Sequence, residues 1–142
     1  MEEEGEENLE RLAIRAEMLE RQAEQIARQI ENIEGLAAEI NRTIETLENF
    51  ENLPLNSLLP IGSGVYITTK EIDKEVFVSI GANLLVKKNA AEAKKILEKK
   101  IKDLRKILED GRKKMELING LIIDTNKKAA ALSTRMQNVQ ST

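Results

Sequence analysis

The chain has 142 residues and a formal charge of −3; 33% of it is charged, only 2% is aromatic, and cysteine and histidine are absent. That inventory excludes disulfides, thiolate- or histidine-ligated metals, and both Ser-His-Asp and Cys-His catalysis, leaving carboxylate chemistry among the common options. The length suits one domain, residues 1–142, yet so few aromatic residues cannot furnish an ordinary globular core.

Residues 1–8, acidic and containing Gly5, are expected to be a frayed leader. Their charge is opposite to that of a secretory signal, and no apolar run approaches the roughly 18 residues that a membrane span requires. A cytoplasmic protein is therefore expected. From Leu9 an apolar residue falls at every place of an alternating three-four spacing: Leu9, Leu12, Ala16, Leu19, Ala23, Ile26, Ile30, Ile33, Ala37, Ile40, Ile44 and Leu47. A mean spacing of 3.5 residues marks a helix wound against another helix. The spacing predicts a helix over 9–50, on the order of 60 Å long at 1.5 Å per residue. Gly35 lies off this seam, and Pro54 disfavours helix at the residue before it.

Over 57–88 the period changes from 3.5 to two. Val65-Tyr66-Ile67-Thr68 and Val76-Phe77-Val78-Ser79-Ile80 read as strands, with Leu58-Leu59-Pro60-Ile61 before them and Leu84-Leu85-Val86 after. The connections Gly62-Ser63-Gly64, Glu71-Ile72-Asp73-Lys74 and Gly81-Ala82-Asn83 predict four short strands in two hairpins. Isolated hairpins are marginal in water and apolar edge strands need covering. The segment is therefore expected to be an assembly surface formed by Leu58, Leu59, Ile61, Val65, Ile67, Val76, Val78, Ile80, Leu84 and Val86. The competing reading is a small sheet that caps the helices.

Asn89 is placed to cap a second helix over 90–139. Its seam runs Leu97, Ile101, Leu104, Leu108, Gly111, Met115, Ile118, Ile122, Thr125, Ala129, Leu132, Met136 and Val139, with Gly111 and Thr125 as its two departures. Either Gly111 or Gly120 could be a weak point or a place of close approach. Helix, β insert and helix of nearly equal length fold most simply as an antiparallel coiled-coil hairpin. Charge agrees with that pairing, because residues 1–50 carry fourteen acids against five bases and residues 91–142 carry seven against thirteen. Each exposed ion pair is worth only about 0.2–1 kcal/mol, so charge selects this pairing more than it stabilises it.

No catalytic constellation emerges, and no cofactor or metal is expected. Gly62-Ser63-Gly64 lacks the Gly-Lys-Ser/Thr ending of a phosphate loop, and Ile67 stands where a dinucleotide fingerprint needs glycine. The bases from Lys94 to Lys106 are interspersed with acids and have no aromatic partners, which argues against nucleic acid. Binding remains. At the free ends of the two helices the seam residues Leu9, Leu12, Ala16 and Leu19 face Ala129, Leu132, Met136 and Val139, and Met18 adds adaptable apolar surface. These residues could close the coiled coil, grip a partner, or do each in turn.

Three stretches resemble the prefoldin family, α class: Leu59-Pro60-Ile61-Gly62-Ser63-Gly64-Val65-Tyr66-Ile67, Val76-Phe77-Val78-Ser79-Ile80-Gly81-Ala82, and Val86-Lys87-Lys88 leading to Ala93 and Leu97. The detailed similarity covers about residues 58–108; Asn83, Leu84 and Lys87 depart from the usual pattern. The resemblance implies a mainly α fold whose two β-hairpins build an oligomeric β-barrel platform with two α and four β-class subunits. It also implies an ATP-independent chaperone, not an enzyme, that holds unfolded clients at its coiled-coil tips and delivers them to a group II chaperonin. The alternative is a coiled-coil scaffold or tether with the β insert as a dimerisation device.

Overall fold

The structure, a computed structural model, describes residues 2–141, the side chains of Glu51 and Ile61 excepted. Helix α1 spans Glu2–Glu48 and is followed by one turn of 3-10 helix, Phe50–Asn52. Four strands come next, β1 Leu58–Gly62, β2 Val65–Thr68, β3 Glu75–Gly81 and β4 Leu84–Asn89, and helix α2 runs Ala90–Gln140. The chain divides into two compact units, Met1–Glu34 with Lys106–Thr142, and Gly35–Arg105.

In the first unit the two helices pack antiparallel. Gly5 lies against Met136, Ile30 against Gly111, and Glu34 pairs with Arg112 at 3.2 Å. From Leu9 to Ile33 each seam residue of α1 is buried or half-buried and each residue between is exposed. On α2 the seam is covered from Leu108 to Met136, with Leu19, Leu108 and Thr125 most deeply buried. Thr125 is tolerated because, among the described residues, no buried side-chain oxygen or nitrogen lacks a partner.

Helix α1 already includes the acidic leader that composition marks as frayed. Glu2, Glu3 and Glu4 occupy its first turn, where carboxylates favour the positive end of the helix dipole. A Cβ on Gly5 would sit 3.3 Å from the Met136 sulfur, a contact with residues far along the chain that no local pattern reveals. The two other seam questions separate cleanly. Gly111 is a close approach, a Cβ placed on it lying 3.2 Å from Ile30 Cγ1, whereas a Cβ on Gly120 would project into open space.

In the second unit β1 pairs antiparallel with β2, and β3 with β4, as two separate two-stranded sheets. Each hairpin turns through two residues with positive φ, Ser63-Gly64 and Ala82-Asn83, after a glycine where the ladder slips. This is the twist that two-residue hairpin loops favour. Ala82 holds φ of 50°, a conformation that costs an L-residue roughly 1–2 kcal/mol. The β3–β4 hairpin is held to α2 by Lys100, whose ammonium donates to the Ser79 carbonyl at 3.1 Å. Val78 is buried there, and Ala93 is only 1% exposed. Ala93 and half-buried Ile96 lie beside the seam of Leu97 and Ile101, giving this end of α2 a second apolar stripe. Asn89 caps α2, its side-chain oxygen accepting from the Glu92 N–H at 2.8 Å.

The Lys94 ammonium reaches Glu48 at 2.8 Å and Glu98 at 3.7 Å. The hydrogen bond and charge of Glu48 raise its pKa above the ordinary 10.5. A raised folded-state pKa gives a contribution that is complete below the unfolded value, about pH 10.4, and fades as pH rises through the folded one. The urea midpoint should therefore fall above about pH 10 in the wild type and fall less in Glu48→Gln, which lacks the carboxylate. Gly120→Ala should stabilise the chain by about 0.5–1 kcal/mol through helix propensity alone. Gly111→Ala should gain clearly less, because its methyl group meets Ile30; equal gains in urea titrations of the two variants would contradict the close approach.

Candidate assembly and binding surfaces

The chain exposes 11368 Å², where a globular monomer of its mass, 16.0 kDa, would expose about 7,400 Å². The excess comes from long helices and two-stranded hairpins, most of whose residues face solvent.

Much of the exposed apolar area lies on the hairpins. In β1 and β2, Leu58, Leu59, Val65 and Ile67 are all exposed, as is Tyr66. The side chain of Ile61 lies outside the described residues. In the second hairpin the expected set divides. Ile80 and Leu84 are exposed, Val76 and Val86 are half-buried, and Val78 is buried within its own unit. The opposite face carries Phe77 and Leu85, 68% and 64% exposed. Choosing the valines of β3 and β4 as the outer face therefore passes over Phe77 and Leu85. The run Val76-Phe77-Val78 is apolar on both faces, so alternation alone cannot say which face α2 covers. The Lys87 ammonium, 6.0 Å from the Phe77 ring centre, also pairs with Glu75 at 3.3 Å and Asp73 at 3.8 Å. That polar fringe leaves the Phe77 ring uncovered.

A cleft of about 310 Å³ opens between the segment after α1, with Phe50, Leu53 and Leu55, and the connection from β2 to β3, with Ile72. Leu55 is 78% exposed. This cleft mixes charged and apolar lining, and among the described residues no group of three or more carboxylates is placed to hold a metal ion.

At the terminal ends of α1 and α2, Leu9, Leu12, Ala16, Ala129, Leu132 and Met136 are half-buried in the seam, and Leu19 is buried. Val139 is exposed. Six of the eight seam residues there are thus half-buried, as are Ala23, Ile26, Ile30 and Ile33 farther along the same seam. Met18 and Ile14, on the outside of α1, are 58% and 50% exposed. Among the described residues no helix is long and apolar enough to cross a membrane.

Comparison with known proteins places this architecture. Prefoldin subunit alpha 1 of Methanocaldococcus jannaschii is 30% identical over 97 residues, which are 67% of this chain and 66% of that protein's length. A cryo-EM structure of filamentous PFD from Methanocaldococcus jannaschii superimposes with a TM-score of 0.67 at 24% identity. That match covers 77% of this chain and 93% of that one, and it establishes the fold. The family model for the prefoldin subunit matches residues 19–140, which takes in most of α1, both hairpins and α2 through its last residue. With two long helices joined by two β-hairpins and a family match over most of its length, the chain belongs to the prefoldin family.

Proposed function

We propose that this chain is the α-class subunit of an ATP-independent molecular chaperone. It assembles through its hairpins with β-class subunits, two α with four β, into a β-barrel platform. It binds unfolded polypeptides at the coiled-coil tips and passes them to a group II chaperonin in the cytoplasm. Membership of a family of non-enzymatic chaperones supports the general reading. The observation that carries the finer one is the two-hairpin insert, with exposed Leu58, Leu59, Val65, Ile67, Phe77 and Leu84. Two-stranded sheets with unpaired edges and apolar faces are unstable alone and satisfy both needs by joining other strands.

A device without a nucleotide site holds and releases by mass action. Its tips need bind each client only weakly, since linking weak sites raises avidity by about 10² to 10⁴ when one client spans several. Half-buried seam ends suit that role: they offer apolar surface without exposing a large patch that would aggregate. Binding to unfolded chains in preference to native ones delays aggregation.

A second assembly is favoured by one specific observation, the filamentous form of the structurally similar PFD. The same exposed hairpins could join copies of this chain to one another. Light scattering separates the two: mixed with a β-class partner, the chain should give one species of about six subunits, whereas growth of long polymers by the chain alone would favour the filament. A stable monomer that exchanges no strands with either would remove the assembly role of the hairpins.

The tip assignment is tested by changing Leu12, Leu132 and Met136 to serine together. Assembly should persist, because the hairpins are untouched, and suppression of aggregation of a denatured model protein should be lost. Full suppression by the triple variant would instead favour a scaffold whose tips grip nothing.

A further inference from the structure

The two flanks of the first unit differ in chemistry. Of the eight carboxylates between Glu6 and Glu34, seven occupy the two heptad positions on one side of the α1 seam. The Arg112–Glu34 ion pair marks the same side on α2, which adds Glu109 and Glu116. At these flanking positions of the first unit nine carboxylates stand with one cation, Arg112, while Arg21 and Lys113 on the outer faces pair with Glu17 and Glu109. Between Asn8 and Asn32 the other side of α1 carries no carboxylate at all.

That second flank is apolar, amide-rich and weakly cationic. From α1 it presents Arg15, Met18, Gln22, Gln25 and Gln29; from α2 it presents Ile107, Lys114, Leu117 and Leu121. A groove of about 290 Å³ lined by Gln29, Ile30, Ile107, Gly111 and Lys114 confirms that these faces of the two helices meet on one side of the seam. At Gly111 the seam is filled by Ile30, which lies where a Gly111 side chain would stand. Met18, Ile107, Leu117 and Leu121 are 58%, 51%, 69% and 40% exposed. The register set by Gly5 against Met136 and Ile30 against Gly111 brings Leu121 to the level of Met18 and Gln22. Counted over both helices, the flank holds five cations, with Arg11, Lys128 and Arg135, against Asp110 and Asp124.

We infer that this flank is a polypeptide-binding track for extended client segments that combine aliphatic and acidic residues. The inference rests on the chaperone reading above and names the class of client it favours. Three glutamines can each donate and accept hydrogen bonds, which suits the unpaired backbone of an extended chain. The leucines and Met18 receive its aliphatic side chains, and the surplus of cations attracts its carboxylates. The opposite flank repels the same segment, so a client is held on one side of the unit. From Met18 to the level of Ile107 the track is on the order of 25 Å long, within reach of about eight extended residues.

The test uses the purified full-length chain and two labelled, unstructured peptides of about twelve residues. Both have leucine at every third position; one carries aspartate and glutamate elsewhere, the other lysine. Fluorescence anisotropy should show the acidic peptide binding at least about tenfold more tightly, with the preference shrinking in about 0.5 M salt. Leu117→Ser with Leu121→Ser should weaken that binding by about tenfold or more, with helical content by circular dichroism unchanged because both residues are exposed. Arg15→Glu with Lys114→Glu should abolish or invert the charge preference. Equal binding of the two peptides, preference for the lysine peptide, or an unaffected leucine double variant would each overturn the track. Lateral self-association that the leucine double variant removes, with no peptide bound, would also overturn it and assign the flank to a second copy. If the wild type suppresses aggregation but shows no peptide preference, the track alone fails. If the wild type assembled with a β-class partner fails to suppress aggregation, the chaperone reading fails whichever peptide binds.

Discussion

Everything else in this protein depends on the antiparallel seam between α1 and α2. Aliphatic residues at a 3.5-residue spacing can be shielded along a helix only by a second helix of the same period. The chain supplies both, and with 2% aromatic residues it has no means of building a wider core. Stability is therefore spread thinly: among the described residues only Leu19, Ile40, Val78, Ala93, Ile101 and Leu108 are buried hydrophobics. A core this narrow leaves the rest of each helix circumference, and nearly all of both hairpins, facing water.

Charge refines the pairing without supplying much of its energy. The acidic first half and basic second half suggest many cross-helix bridges, yet among the described residues the direct ones are Arg112–Glu34 and Lys94–Glu48. The other helical pairs, Arg11–Glu7, Arg21–Glu17, Lys94–Glu98, Lys113–Glu109 and Lys128–Asp124, each join one turn to the next within a helix. Exposed pairs of this kind contribute a few tenths of a kcal/mol each. Their arrangement matters more than their sum. Collecting the α1 glutamates on one side of the seam leaves the other side of α1 without carboxylates between Asn8 and Asn32, and the flank it forms with α2 keeps apolar side chains in water beside a small surplus of cations.

The hairpins show how local chemistry and assembly are joined. Tight two-residue loops with positive φ bring short strands together, and Ala82 accepts strain to do so where glycine would be relaxed. The second hairpin is anchored to α2 by Val78 and by Lys100 on the Ser79 carbonyl. Every described residue of β1 and β2 is exposed. An element that its own chain covers so little gains few tertiary contacts to offset the cost of ordering it.

The sequence by itself determined the two helices, their seam, the two hairpins with their glycine-led turns, and the cap at Asn89. Each of these follows from a repeat or a turn signal confined to a few neighbouring residues. Only the tertiary structure decided where α1 begins, because the order of its first turns is tied to Gly5 meeting Met136, residues at opposite ends of the chain. It alone decided that Gly111 is a close approach and Gly120 an open site, since that depends on whether Ile30 stands opposite. It also decided which face of the β3–β4 hairpin α2 covers, burying Val78 and leaving Phe77 and Leu85 exposed. A heptad tells which residues turn inward, but the register between two helices, and the face a strand offers, are fixed by what lies across from them.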